Sequence, residues 1–148
     1  MRVLVQRVAR AAVHVEGETV ASIGPGLLLF VAFKAGDRDA DLTWMAEKVV
    51  HLRIFEDEAG KMNRSVLEVG GEILAVSQFT LYGDARKGRR PSFDASATAD
   101  QARPLFEKFV DILVSRGIMT GVGRFQVVMQ VELVNDGPVT IMLDSPGG

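Results

Sequence analysis

Residues 27–33, Leu-Leu-Leu-Phe-Val-Ala-Phe, are apolar at every position. A strand with one wet face would alternate, and a helix would need a longer stretch. An unbroken run this short, entered through the turn Gly24-Pro25-Gly26, predicts a central strand covered on both faces. The rest of the chain must therefore supply two covering layers. The run also falls well short of the ~18 residues that suggest a membrane span. At 148 residues the chain is expected to form a single domain, 1–148, around one core.

The flanking segments read as further strands and two helices. Arg2, Leu4 and Gln6 alternate with Val3, Val5 and Arg7, predicting a strand over 1–8 with Arg7 as its conspicuous charge. Strand pattern continues over 11–15, turns at Glu16-Gly17-Glu18 and returns over 19–23 as a hairpin. Leu42, Met45, Ala46, Val49 and Leu52 recur at helical spacing behind the acidic Asp37, Asp39 and Asp41, which suit a helix N-terminus. A short strand at 53–55, a turn at 57–60 and a loop over 63–71 precede a strand over 72–82. Thr98 and Gln101 have capping-box spacing ahead of the apolar stripe Leu105, Phe106, Phe109, Ile112 and Leu113, with Gly117 as the C-terminal cap. Pro104 conflicts with a start at Thr98, so the helix begins later or kinks there. Gly121 and Gly123 mark a turn or bulge. Residues 125–134 read as a strand, Asn135-Asp136-Gly137-Pro138 as a turn, 139–143 as a last strand and 145–148 as a frayed tail. The order predicts an α+β fold: a curled, mainly antiparallel, barrel-like sheet with two main helices.

Composition narrows the function classes. A hydrophobic fraction of 47% and a charged fraction of 24% are ordinary for a globular protein. The formal net charge of -2 excludes a global cationic field, so any nucleic-acid contact must be local. With no Cys, disulfides, thiolate metal sites and a Cys nucleophile are excluded. No signal-peptide core opens the chain. A cytoplasmic enzyme or binding domain, without a membrane role, is expected.

The informative stretch is 74–93. It starts as a buried strand and runs into Ser77, Gln78 and Thr80. Ser77 and Gln78 point to opposite faces of a strand, so a single exposed face does not account for both. Buried polar groups need partners, and a ligand is one candidate. Beyond the break at Gly83-Asp84 lies a basic loop with Arg86, Lys87, Arg89 and Arg90, suited to phosphate. Alone, that loop is an ordinary solvated charge run. Other patterns carry less. Asp37, Asp39 and Asp41 fail as a calcium loop, because Leu42 and Lys48 stand where Gly and Glu are needed. Gly24-Pro25-Gly26 is too short for a dinucleotide loop. His14 and His51 sit on different elements and form no metal pair, so no metal is expected. A Ser77–His51–Asp triad is definable only by geometry.

Three segments together carry a resemblance: Ser77-Gln78-Phe79-Thr80-Leu81, then Lys87-Gly88-Arg89-Arg90-Pro91-Ser92-Phe93, then Asn135-Asp136-Gly137-Pro138-Val139-Thr140. With Val5-Gln6-Arg7-Val8 in the first strand, the chain resembles the D-aminoacyl-tRNA deacylase family (D-tyrosyl-tRNA deacylases) along essentially its whole length. One departure stands out. Phe125-Gln126-Val127 occupies the place of the family's usual Phe-Gly-Ala, which bears on the local loop and the edge of the pocket.

The resemblance implies hydrolysis of the ester joining a D-amino acid to the terminal ribose of tRNA, with no cofactor, by a homodimer. It implies backbone N–H groups of Phe79 and Thr80 as oxyanion donors, beside Ser77 and Gln78. Thr80 is either nucleophile or positioning hydroxyl; the family favours the second, assisted by the ribose 2′-hydroxyl. It also implies that Gly137-Pro138, with a cis peptide bond, enters the partner subunit's site, where its carbonyls accept from the substrate ammonium and its bulk excludes L side chains. Arg7 would hold that dipeptide. Achiral glycine would escape exclusion. Two rivals remain: a non-enzymatic RNA-binding domain using the basic loop, which lacks interleaved aromatics, and a related deacylase type of opposite selectivity.

Overall fold

A computed structural model describes residues 1–146. Strand β1 (Arg2–Val15) is the organiser. It pairs antiparallel with β2 (Glu18–Ile23), with β3 (Gly26–Ala32) and with the last strand, β8 (Gln130–Asp144). From β3 the sheet continues through two parallel pairings, to β6 (Glu72–Ser77) and then β7 (Thr120–Val122). Because β2 lies against β6 and β7, the sheet curls into a nearly closed barrel. The meander expected up to residue 33 is present; beyond it, the sheet is mixed.

Parallel neighbours need crossovers. The first carries α1 (Asp39–His51) and the small hairpin β4 (Phe55–Glu56) and β5 (Met62–Arg64); the second carries α2 (Ala99–Ser115). Both helices lie on one face of the sheet. This explains why 27–33 shows no alternation. Leu27, Leu29 and Val31 join Val3, Val5, Ile73 and Ala75 under Met45, Val49 and Phe109 of the helices. Leu28 joins Val8, Ala11, Val13, Leu74 and Val76 in the second cluster, on the other face. Fully burying each such Leu contributes about 1.5–3 kcal/mol. The backbones of β3 and β6 approach so closely that a Cβ on Gly26 would lie 1.9 Å from the Glu72 carbonyl oxygen.

Helix α2 starts at Ala99 under the Thr98 N-cap, whose capping box with Gln101 is complete, and runs through Pro104 without stopping. The later start is not what the chain adopts: the proline forgoes one bond of the second turn while the Ala102, Phe106 and Phe109 stripe stays buried. Gly117 closes the helix with φ +86°.

Five expectations need correction. The strand expected over 72–82 stops at Ser77, and residues Phe79–Tyr82 form a 3-10 turn. Gly121 lies inside parallel strand β7, not in a turn. Strand pattern begins at Gln130, not at 125. Asn135 to Pro138 do not end a strand: β8 runs through them, as register passes from Gln6↔Thr140 to Val8↔Asn135. Residues 136–139 thus bulge outward opposite Arg7 alone. The tail expected over 145–148 is anchored at its start. Ser145 is buried, donates its N–H to the Met1 carbonyl and accepts from the Met1 ammonium, which also pairs with Asp37 at 2.8 Å. Residues 147 and 148 lie outside the described residues.

Candidate active site

Ser77 ends β6 at the carboxyl edge of the parallel strands, a common position for ligand crevices. Gln78 donates its N–H to the Val31 carbonyl (2.8 Å), the last rung toward β3. The chain then tightens. Leu81 N–H bonds back to the Gln78 carbonyl, while the N–H groups of Phe79 and Thr80 have no acceptor among the described residues. The Gln78 side-chain amide donates to the Thr80 hydroxyl. That bond fixes the threonine rotamer and leaves its own O–H to donate outward. Arg2 braces the turn: its Nη1 donates to the Leu81 carbonyl (3.0 Å), and its guanidinium lies 4.8 Å from the Tyr82 ring centre.

Ser77, Gln78 and Phe79 open onto a cleft of about 610 Å³, with Val76, Met129 and Val131 at its apolar base. Phe79 and Phe93 meet edge to face at 5.1 Å on its wall. Ala99 and Ala102 bring in α2, and the 125–129 segment completes the lining. Thr80 is exposed on the same turn but does not line the cleft. Sequence reasoning gave no role to Phe93, Ala99, Ala102 or Met129. The 125–127 departure was the one signal pointing there. Gln126 adopts φ +58°, a conformation glycine takes without strain and other residues rarely adopt.

Arg7 is buried, on the face shared with Val3 and Val5. Its Nη1 donates to the Ile54 carbonyl (2.7 Å) and its Nε to the Asp136 carbonyl (3.1 Å). The Asp136 carboxylate stands 3.5 Å away. Asn135 caps the bulge from its base, its side-chain oxygen accepting from Val139 N–H at 3.2 Å and its amide donating to the Thr140 hydroxyl at 2.9 Å. The bond between Gly137 and Pro138 is cis, and Gly137 has φ +128°. A Cβ there would meet Val139 and the Arg7 guanidinium at about 3 Å. Gly137 and Pro138 are exposed and do not line their own chain's cleft.

The basic loop is pinched by the bridge Asp84↔Ser92, directly before Phe93. Arg86 folds back onto Asp84 through two hydrogen bonds of 2.9 and 2.8 Å. This pairing pulls the Asp84 carboxyl down to about 2. Lys87, Arg89 and Arg90 stay exposed. His14 bonds to Glu132 and Thr19, and His51 faces Glu47; neither is near Ser77 in the cleft lining, so the triad is not assembled.

The family model for D-Tyr-tRNA(Tyr) deacylase matches residues 4–144. The chain belongs to this family. It is 58% identical to the D-aminoacyl-tRNA deacylase of Heliobacterium modesticaldum, covering 100% of this chain and 99% of that one. It is 59% identical to that of Thermomicrobium roseum, covering 98% and 94%. Among solved structures, a c-Myc DNA unwinding element binding protein superposes with TM-score 0.94 at 41% identity, covering 99% of this chain and 100% of that one. A probable eukaryotic D-amino acid tRNA deacylase shares the fold, with TM-score 0.82 at 23% identity, covering 96% and 97%. Among the described residues, no helix is long and apolar enough to cross a membrane.

Proposed function

We propose that this chain is a cytoplasmic hydrolase that cleaves the ester bond of D-aminoacyl-tRNA, releasing free D-amino acid and tRNA. The observation that carries the reading is the pair of unbonded N–H groups at Phe79 and Thr80, beside a neutral, largely apolar cleft. Water adds to the ester carbonyl and gives up one proton, which passes on to the leaving oxygen; the carbonyl oxygen, now negative, accepts from those two N–H groups. One such donor is typically worth about 3 kcal/mol of transition-state stabilisation. The C–O bond to the ribose then breaks and the leaving oxygen takes a proton, giving the amino acid carboxylate and a free 3′-hydroxyl. No His or Cys stands at the turn; as the family resemblance implies, the substrate's own 2′-hydroxyl assists and Thr80 is a positioning hydroxyl. No cofactor enters the scheme.

Chirality is read by backbone. In this reading the chain is a homodimer, and the outward bulge at Gly137-Pro138 enters the partner's cleft. There its carbonyls accept from the substrate ammonium and leave no room for an L side chain. Rejection by main chain tolerates many D side chains and does not exclude glycine. The exposed Lys87, Arg89 and Arg90 beside Phe93, with Arg86, contact tRNA phosphates.

Incubation with D-tyrosyl-, L-tyrosyl- and glycyl-tRNA tests the reading. Loss of the D and glycyl esters with the L ester intact is expected; equal loss of D and L would refute backbone selection. Thr80→Ala should retain measurable single-turnover cleavage, whereas complete loss would make Thr80 the nucleophile. Sedimentation should find a dimer, and an active monomer would contradict donation in trans. Tight nucleic-acid binding with no ester cleavage would favour a binding module instead.

A further inference from the structure

Several arginines are neutralised locally. Arg2, Arg7, Arg10, Arg64, Arg86 and Arg116 each pair with an acid. Arg103 and Arg124 have no acidic partner among the described residues. Arg103 projects from α2 one residue beyond Ala102, which lines the cleft. Its guanidinium stacks over the Phe125 ring at 5.2 Å, and Phe125 lines the same cleft. Phe125 is steadied in turn by Phe106 of α2, at 6.3 Å between ring centres. Arg124 is exposed and directly precedes Phe125 in the chain.

A guanidinium held over a ring keeps N–H groups free to donate and has already given up part of its rotamer freedom. That is how a cation is prepared for an anionic oxygen pair. The position matters as much as the stacking. The basic loop reaches the cleft through Phe93, whereas Arg103 and Arg124 reach it through Phe125, on a different stretch of wall. A single-stranded nucleic-acid end entering the cleft would meet cations at both places. Its phosphates would stay outside while its neutral tip enters the apolar base.

We infer that Arg103, assisted by Arg124, is a phosphate-binding residue at the cleft mouth, taking a backbone phosphate near the 3′ end of the tRNA. This inference rests on the deacylase reading for the identity of the polyanion. Arg103 acts on binding, not on the ester.

The test measures the affinity of the full-length protein for uncharged tRNA by fluorescence anisotropy across a salt series, alongside steady-state cleavage of D-tyrosyl-tRNA. Losing one phosphate contact to a single strand should flatten the slope of log affinity against log salt by about 0.7. Arg103→Ala is expected to show that change, with KM raised several-fold and kcat retained. Arg103→Lys, which keeps the charge, should restore the slope. Adding Arg124→Ala to Arg103→Ala should flatten it further. An Arg103→Ala slope equal to the parent's overturns the inference, as does a fall in kcat with KM and slope unchanged, which would mark a packing role. If the parent binds tRNA but leaves the D-tyrosyl ester intact, the deacylase reading fails, while the slope still decides the phosphate contact.

Discussion

Replacing Arg7 tests how the bulge in β8 is held. The side chain is buried, and its guanidinium gives one hydrogen bond to the Ile54 carbonyl at 2.7 Å and one to the Asp136 carbonyl at 3.1 Å. Hydrogen bonds from a charged donor contribute about 1.5–3 kcal/mol each, and a buried acceptor left unpaired costs about 1–3 kcal/mol more. Against this stands relief from burying a cation. The Asp136 carboxylate, 61% exposed, adds little. The net for Arg7→Ala is a loss of about 3 kcal/mol, the Ile54 bond being the larger part because it is the more deeply buried. At this chain length that lowers Tm by about 6–12 °C. Arg7→Lys should recover only part of the loss, since one ammonium cannot serve two carbonyls presented to a planar fork. Urea denaturation read by far-UV circular dichroism gives the stability. Cleavage of D-tyrosyl-tRNA at 25 °C, where the folded form still dominates, reads the site. More than a tenfold drop is expected, because the Asp136 carbonyl adjoins Gly137. If Arg7→Ala lies within about 1 kcal/mol of the parent and cleaves normally, Arg7 is not the anchor and the bulge is held by Asn135 alone.

Three further predictions concern the frame and the loop. Gly26→Ala should fold poorly or lose at least the ~1–3 kcal/mol of an overpacked core, because its Cβ meets the Glu72 carbonyl at 1.9 Å; parent-like urea stability would show that β3 and β6 can separate freely. Thr98→Ala removes the N-cap of α2 and should cost about 1 kcal/mol, with faster amide exchange over its first turn; unchanged exchange would mean the cap is redundant. Asp84 has its carboxyl lowered from 3.8 to about 2 by Arg86. A depressed carboxyl contributes stability that is full above its ordinary value and is lost as pH falls through the folded one. The loop pairing should therefore persist at neutral pH and break between 3.8 and about 2. Carboxyl-detected NMR should find the Asp84 midpoint near 2, and a midpoint near 3.8 would show that the pair does not form in solution.

Local signals were readable where they follow from one residue's chemistry. The Thr98–Gln101 box, the Gly117 cap and the two-faced apolar run at 27–33 all appear where their side chains demand. What sequence alone misread depends on partners far along the chain. Residues 72–82 look like one strand because Phe79, Leu81 and Tyr82 are apolar. The strand ends at Ser77 because β7 pairs only with 73–75 and β3 offers its last acceptor, Val31, to Gln78. Asn135-Asp136-Gly137-Pro138 has turn chemistry, and the chain does leave the sheet there. That it returns to the same neighbour strand is decided by Gln6 and Val8, some 130 residues earlier. The cleft wall at 125–129 was read as strand for its valines, yet the pairing with β1 starts only at His14↔Gln130.

Both halves of the candidate site hang from β1, and this ties its geometry to one strand's register. Arg2 holds the 3-10 turn through the Leu81 carbonyl, and Arg7 holds the bulge through the Asp136 carbonyl. They are five residues apart, so they leave opposite faces of the strand. Arg2 reaches out over Tyr82 toward Asp144, while Arg7 reaches into the layer of Val3 and Val5. A slip of one residue would exchange those faces, bringing Arg2 into the core and Arg7 to the surface, and would release both carbonyls at once. The extra residue at Ala9, where β1 itself bulges between Val8 and Arg10, lets the strand pass from the helix-side core to the interior of the barrel without that slip. Deleting Ala9 should therefore leave Arg2 and Arg7 in register but misplace Ala11 and Val13. The expected outcome is loss of cooperative unfolding in the barrel cluster before loss of the helices, resolved by residue-specific amide exchange. Uniform exchange across both clusters would show that β1 does not couple them in this way.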